Sequence, residues 1–315
     1  MKIAVSGCLN GENCRYDGKA KKDNFITEIL PKYAEVVHFC PEDKTFGTPR
    51  ESIRFIEIDG KKKVFGNKSK EDLTDQLKIE CIKTVEKLSV EDISGFILKS
   101  KSPTCGLERV RVYNSSGTPL PSSGVGVLAE TIKEQLPFIP VEEEGRIQDS
   151  WLKENFIMQL YAFDNFKRLK KEAKKFGELV QFHTEYKFLL QSRDDKLYRE
   201  LGNIVANGKT SLFNALESYE QIFLKAISKK SSIGKTANVL EHLYGFVKKY
   251  VDDSEKSSFL NSLKDFREEI IPLIVPISLI KLYADKYEVK YLQNQKFLDP
   301  YPKELALRSS IKAVK

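Results

Sequence analysis

One tryptophan, two methionines and three histidines occur in 315 residues, and no apolar run reaches the roughly 20 residues that a membrane-spanning helix needs. The longest, residues 270–284, is interrupted by Pro272, Pro276 and Lys281 and reads as a buried, proline-kinked core helix. The five cysteines form no C-x-x-C pair, which argues against a zinc knuckle, and no histidine stands beside two of them. Residues 1–8 end in Ser-Gly-Cys like a lipoprotein cleavage site, but the apolar stretch before it is too short for a secretion signal. An odd cysteine count without such a signal points to reduced thiols and a cytoplasmic chain with no membrane association. With 41% apolar and 31% charged residues, disordered and collagen-like classes are excluded. The net charge of +7 favours an anionic ligand only weakly. The densest basic run, residues 167–175, reads as a solvated helix face and not as a nucleic-acid footprint.

What is present divides in two. The length is about twice the usual domain of roughly 150 residues. Up to residue 144, short β-branched runs alternate with helical stretches, the pattern of an α/β fold: a layered N-terminal domain with a mainly parallel sheet over residues 1–144. Strands are expected at Lys2–Ser6, Glu35–Phe39, 95–98 and 138–141, and helices at 24–33, 69–88 and 125–135. Residues 54–58 and 62–65 flank Asp59-Gly60 and predict a hairpin, taken as an appended edge ribbon. The acidic residues 142–145 read as a linker. Beyond them the period turns helical, as in Phe156, Leu160, Phe163 and Phe166, and predicts an all-α C-terminal domain over residues 145–315 with six or seven helices. Breaks are expected at Asn207-Gly208, 231–234, 252–254 and Asp299-Pro300.

Three cysteines share one position. Cys8 follows the first strand, Cys40 the second, and Cys105 the strand at 95–98. Ligands of open α/β sheets bind beyond the carboxyl ends of the strands, so these thiols can converge although 32 and 65 residues separate them. Soft thiolates suit iron–sulfur clusters, and three cysteines on a cubane leave one iron open; inert turn cysteines fit the spacing equally well. Cys81, within a helix beside Leu77 and Ile82, reads as packing, whereas Cys14 is either a fourth ligand or structural. Glu42, Ser100 and Ser102 would line the same mouth, with Glu42 able to take a proton and Ser102 able to orient water. Arg15, Arg50 and Lys99 are cations in the same loops, suited to a phosphorylated substrate or merely to neutralising nearby carboxylates.

Ser6-Gly-Cys8-Leu with Cys14-Arg-Tyr-Asp-Gly18, Cys40-Pro-Glu42, Thr48-Pro-Arg50 and Leu98-Lys-Ser-Lys-Ser-Pro-Thr-Cys105-Gly106 resemble the thiouracil desulfidase (TudS) family. Phe182-His183-Thr-Glu-Tyr-Lys187, Tyr198-Arg-Glu-Leu-Gly202, Asn238-Val-Leu-Glu-His242, Ile271-Pro-Leu-Ile-Val-Pro276 and Tyr301-Pro-Lys-Glu-Leu-Ala-Leu-Arg308 resemble the YbgA-type helical domain of its long form. Tyr186 stands where that domain often has a second histidine. The resemblance implies a [4Fe–4S] cluster held by Cys8, Cys40 and Cys105. Its open iron would take the sulfur of thiouracil or a thiouridine nucleotide such as 4-thio-UMP in a non-redox, hydrolase-type reaction releasing sulfide. Glu42 and Ser102 carry over as the water-activating pair, and Arg15, Arg50, Lys99 and Ser100 as substrate-binding residues. A small thiolated pyrimidine or nucleotide is the expected partner, ahead of tRNA. The competing expectation is an accessory or nucleic-acid-binding protein with vestigial thiols or a structural metal. His183, His242 and the aromatic residues Phe182, Tyr186, Phe188, Tyr198 and Phe213 are expected to be packing residues of the helical half.

Overall fold

Ile3, Ala4 and Val5 are buried on both sides of β1 (Lys2–Ser6), as a strand at the centre of a parallel sheet requires. The computed structural model describes residues 1–208 and 211–305; Ala306, Leu307 and Arg308, the end of the last C-terminal motif, lie outside them. A turn of 3₁₀ helix, Gly7–Asn10, follows β1. The expected helix at 24–33 is instead one π turn, Phe25–Ile29, and one 3₁₀ turn, Leu30–Lys32, where Pro31 lacks the N–H that an α-helix would use.

Next come β2 (Glu35–Phe39), α1 (Pro41–Phe46), β3 (Ile53–Ile58), β4 (Lys61–Gly66) and α2 (Thr74–Val90). They are followed by β5 (Ile93–Leu98), β6 (Val110–Tyr113), β7 (Pro119–Gly124), α3 (Val127–Gln135) and β8 (Val141–Glu143). The first sheet is wholly parallel with strand order β2-β1-β5-β8. The chain runs outward from β1 to β2 on one side and to β5 and β8 on the other, which opens a crevice at the carboxyl ends of β1 and β5.

The residues read as a linker belong to this sheet. Glu142 and Glu143 are in β8 and buried, because Arg146 Nε donates to Glu142 at 2.5 Å and Leu107 N donates to Glu143 at 2.6 Å. The hairpin of β3 and β4 turns through Asp59 and Gly60, both left-handed, as a tight primed turn demands. It is no appended ribbon: β3 pairs in parallel with β6, and β6 with β7, to make a second sheet of order β4-β3-β6-β7. Phe55, Val64 and Val112 of this sheet, Phe96 and Leu98 of the first, and Leu77, Val85, Leu128 and Ile132 of α2 and α3 form one core. Each large side chain buried there stabilises the fold by about 1.5–3 kcal/mol.

Two compact units are distinguished, Met1–Leu152 and Lys153–Lys315. The helices are α4 (Ser150–Glu172), α5 (Phe176–Arg193), α6 (Asp195–Asn207), α7 (Leu212–Ser228), α8 (Ile233–Val247), α9 (Asp253–Arg267), α10 (Ile274–Lys286) and α11 (Lys290–Gln293). Their starts follow from N-caps: Asp194 accepts from Leu197 N, Ser211 from Asn214 N, Ser232 from Lys235 N and Asp252 from Glu255 N. The prolines at 272 and 276 do not kink a helix. Pro272 precedes α10 and Pro276 lies in its first turn, where the backbone N–H has no partner within the helix. Phe166, Phe182, Tyr219 and Phe223 stack at the centre of this unit, and Tyr186 stacks on Phe182 with ring centroids 4.4 Å apart. Phe213 departs from expectation and is 70% exposed. No helix among the described residues is long and apolar enough to cross a membrane.

Candidate active site

The ends of β1, β2 and β5 each lead into a turn that carries a cysteine. Cys8 sits in the 3₁₀ turn, which ends at Gly11 with φ 97°, a conformation glycine adopts without a side-chain clash. Lys21 N donates to Cys8 O at 2.8 Å and Asp23 N to Leu9 O at 3.0 Å, folding the loop that carries Cys14 back over the turn. Cys40 stands between β2 and α1. Cys105 lies in a loop clasped by the start of α3: Val127 N donates to Pro103 O and Leu128 N to Thr104 O, at 3.0 and 2.8 Å. These contacts satisfy amide groups that have no partner within the helix. Gly126 permits the approach, since a side-chain carbon there would fall 2.5 Å from Thr104 O.

Cys8, Cys14, Cys40 and Cys105 line one cavity of about 310 Å³ together with Glu42 and Arg15. Ser6, Arg50, Lys99, Ser100 and Ser102 complete the wall that matters chemically. The structure thus brings every site residue expected from the sequence to one cavity, together with Cys14, which the sequence left as either a fourth ligand or structural. Cys81 is apart from them, buried in the core between α2 and the sheets.

The thiols touch. Cys40 stands beside Cys14, which favours the Cys14 thiolate, but contact with Cys8 and burial outweigh this and push Cys14 up to about 12. The Cys14 contact, then burial, pushes Cys40 up as well. Burial holds Cys105 high although Ser6 offers it a hydrogen bond. Cys14, Cys40 and Cys105 are thus held as neutral thiols unless something positive replaces their protons.

Glu42 is fixed on both oxygens. Ser102 Oγ and Thr104 Oγ1 donate to Oε1 at 3.1 and 2.7 Å, and Arg50 Nη2 donates to Oε2 at 2.8 Å. Ser102 Oγ also accepts from Thr104 N and Cys105 N, at 3.1 and 3.2 Å, so one hydroxyl orders the Cys105 turn and the carboxylate together. Arg50 is engaged by the protein: its Nη1 donates to Cys14 O, Gly47 O and Thr48 Oγ1. Lys99 Nζ pairs with Glu144 and donates to Ser100 O and Oγ, while Ser100 N and Oγ donate to Glu144 at 2.7 and 2.8 Å. Burial alone would raise Glu144, yet Lys99 and the Ser100 donors hold it below the usual carboxylate range. Arg15 keeps a looser contact, Nε to Asp17 Oδ1 at 3.3 Å, with Tyr16 beneath its guanidinium.

Thr104 and Glu144 are therefore site residues that the sequence reading missed. Thr104 stands beside Cys105 and is fully buried, a position where a hydroxyl needs an acceptor. Glu144 follows β8 at the carboxyl edge of the first sheet, the same position that singled out the cysteines.

Among the described residues no three His, Cys, Asp or Glu side chains gather closely enough to ligate a single metal ion. Instead the thiols stand around a cavity, with no histidine among its lining residues. A donor set of soft sulfur alone suits an iron–sulfur cluster, so the residues present fit that group.

A family model described as 2-thiouracil desulfurase matches residues 3–144, and one described as a protein of unknown function, DUF1722, matches residues 187–302. YbgA of Escherichia coli (strain K12) is 26% identical over 156 residues, which span 49% of this chain and 92% of that protein. YbbK of Bacillus subtilis (strain 168) is 32% identical over 138 residues, 42% of this chain and 89% of that protein. Among solved structures, the [4Fe-4S]-dependent thiouracil desulfidase TudS is 27% identical with a TM-score of 0.37, over 46% of this chain and 92% of that one.

Proposed function

Since the chain belongs to the 2-thiouracil desulfurase family, we propose that it removes sulfur from a thiolated uracil or its nucleotide, with a [4Fe–4S] cluster held by Cys8, Cys40 and Cys105. The observation that carries this reading is the convergence of four thiols with Glu42 on one cavity. When bound, a cluster with three protein ligands supplies an open Lewis-acidic iron and a place for sulfide to depart.

The protein's own residues supply the rest. Water provides the oxygen that replaces sulfur, sulfide leaves, and no electrons are gained or lost. Glu42 takes the proton from that water as general base. Ser102, Thr104 and Arg50 orient its carboxylate, and Ser102 stands where it can also position the water. Arg50 and Lys99 serve as positioning residues, because their charges are met by Glu42 and Glu144. Arg15 lines the cavity as a substrate-binding residue for the polar edge of the pyrimidine.

Anaerobic reconstitution with iron and sulfide, followed by sulfide release from 2-thio and 4-thio derivatives of uracil, uridine and UMP, tests the reading. Brown protein that releases sulfide is expected. Protein that takes up no iron and releases no sulfide from any of these compounds overturns it.

A further inference from the structure

A second cavity, of about 420 Å³, adjoins the thiol-lined one and shares Ile53, Lys101 and Pro103 with it. Arg54, Lys101, Arg109 and Arg111 line it, together with Tyr113 and Asn67, and no carboxylate does. Its floor is the outward face of the second sheet. Phe55 and Val112 are paired across β3 and β6 and are buried in the core. Arg54 and Arg111, one residue back on each strand, therefore point together to the opposite face.

Like charges side by side on adjacent strands destabilise a sheet. Among the described residues no carboxylate pairs with Arg54 or Arg111, and Arg109 alone of the four is in an ion pair, with Glu108 at 2.8 Å. The Arg54 guanidinium lies 5.3 Å from the Tyr113 ring centroid, and its Nε is buried without a hydrogen-bond acceptor. A buried donor left without an acceptor is costly, and an oxyanion beside it would supply one. Lys101 and Arg109 hold their positions with φ of 61° and 56°, in the left-handed region that side-chain-bearing residues rarely adopt.

We propose that this second cavity is a phosphate site, and that it takes the phosphate of a thiolated nucleotide whose base enters the thiol-lined cavity. The first half of the proposal stands on the cations alone; the second rests on the desulfidase reading. Arginine pairs give phosphate bidentate, charge-assisted hydrogen bonds, and a ribose is the spacer that separates base from phosphate across the shared wall.

Titration calorimetry of the full reconstituted chain with inorganic phosphate, UMP and uridine tests it, on wild type, Arg54→Gln, Arg111→Gln and the distant control Lys225→Gln. Phosphate and UMP should saturate wild type, with UMP binding at least about tenfold more tightly than uridine. Arg111→Gln and Arg54→Gln should each weaken UMP about 10- to 100-fold, the loss expected for a charged hydrogen bond, whereas Lys225→Gln should bind as wild type. Arg111 is exposed, so it decides the matter if Arg54→Gln fails to fold. Equal affinity for UMP and uridine, or undiminished UMP binding in Arg111→Gln, overturns the proposal.

Phosphate bound more tightly than UMP keeps the anion site but overturns its link to a nucleotide. Arginine-dependent UMP binding in protein that releases no sulfide from any thio compound refutes the desulfidase reading and leaves the phosphate site standing. Sulfide release without phosphate binding does the reverse.

Discussion

Arg50 holds Glu42 at 2.8 Å, and the two side chains are only 5% and 16% exposed. The same guanidinium donates to Cys14 O at 3.0 Å, so it ties the thiol-bearing loop to the carboxylate. Removing one partner of a buried pair strands the other charge. Arg50→Met should therefore lower the stability of the N-terminal unit by about 3–5 kcal/mol, read by chemical denaturation. Arg50→Lys should keep more of the fold yet lose sulfide release, because one ammonium cannot reproduce the planar fork that reaches Glu42 and Cys14 at once. A lysine variant with wild-type turnover would remove the positioning role.

Glu42→Gln keeps a side chain that fits the same space and still accepts from Ser102 or Thr104, but it cannot take a proton. Iron content should stay as in wild type while sulfide release falls about 10²- to 10⁴-fold, the usual contribution of a general base. Iron quantified beside turnover separates assembly from chemistry. Full turnover in this variant would show that the carboxylate does not activate water.

The thiols should divide into classes. Cys8→Ser, Cys40→Ser and Cys105→Ser should each lose the brown absorbance and most of the about four irons per chain that a cubane implies. Cys81→Ser, whose thiol lies in the hydrophobic core, should retain them. Cys14→Ser should retain iron too, since three other thiols remain at the cavity. Unchanged iron in all three of the first group would overturn the ligand assignment.

These residues also show what the sequence could express. Cys8, Cys40 and Cys105 were readable because each follows a β-branched run, and strand ends converge in a parallel sheet. Thr104 and Glu144 were not readable in the same way. Thr104 acts through a hydrogen bond to Glu42, 62 positions away. Glu144 follows a three-residue strand too short to show an alternation, so its acidic neighbours looked like a linker. The strand β6 does alternate, Val-Arg-Val-Tyr, with both valines buried. Missing it left the hairpin looking like an isolated ribbon and hid the second sheet. In the helical unit the caps at Ser232 and Asp252 were visible as breaks because capping is a local interaction, whereas the cap at Asp194, between two helices that follow one another directly, gave no break.

The helical unit should depend on pH through His183. Burial pushes its imidazole down from 6.5 to about 4, with Lys187 adding to the shift, and Nδ1 lies 3.0 Å from Tyr219 Oη, with Tyr198 stacked on the ring. The folded unit therefore keeps His183 neutral, whereas the unfolded chain binds a proton below about 6.5. Stability from this group is fully present above that value and is lost as pH falls toward about 4, by about 3 kcal/mol in all. His183→Gln cannot take up the proton, so its denaturation midpoint should change less between pH 7 and pH 4 than that of wild type. Equal pH dependence in the two proteins would show that His183 is not the group responsible.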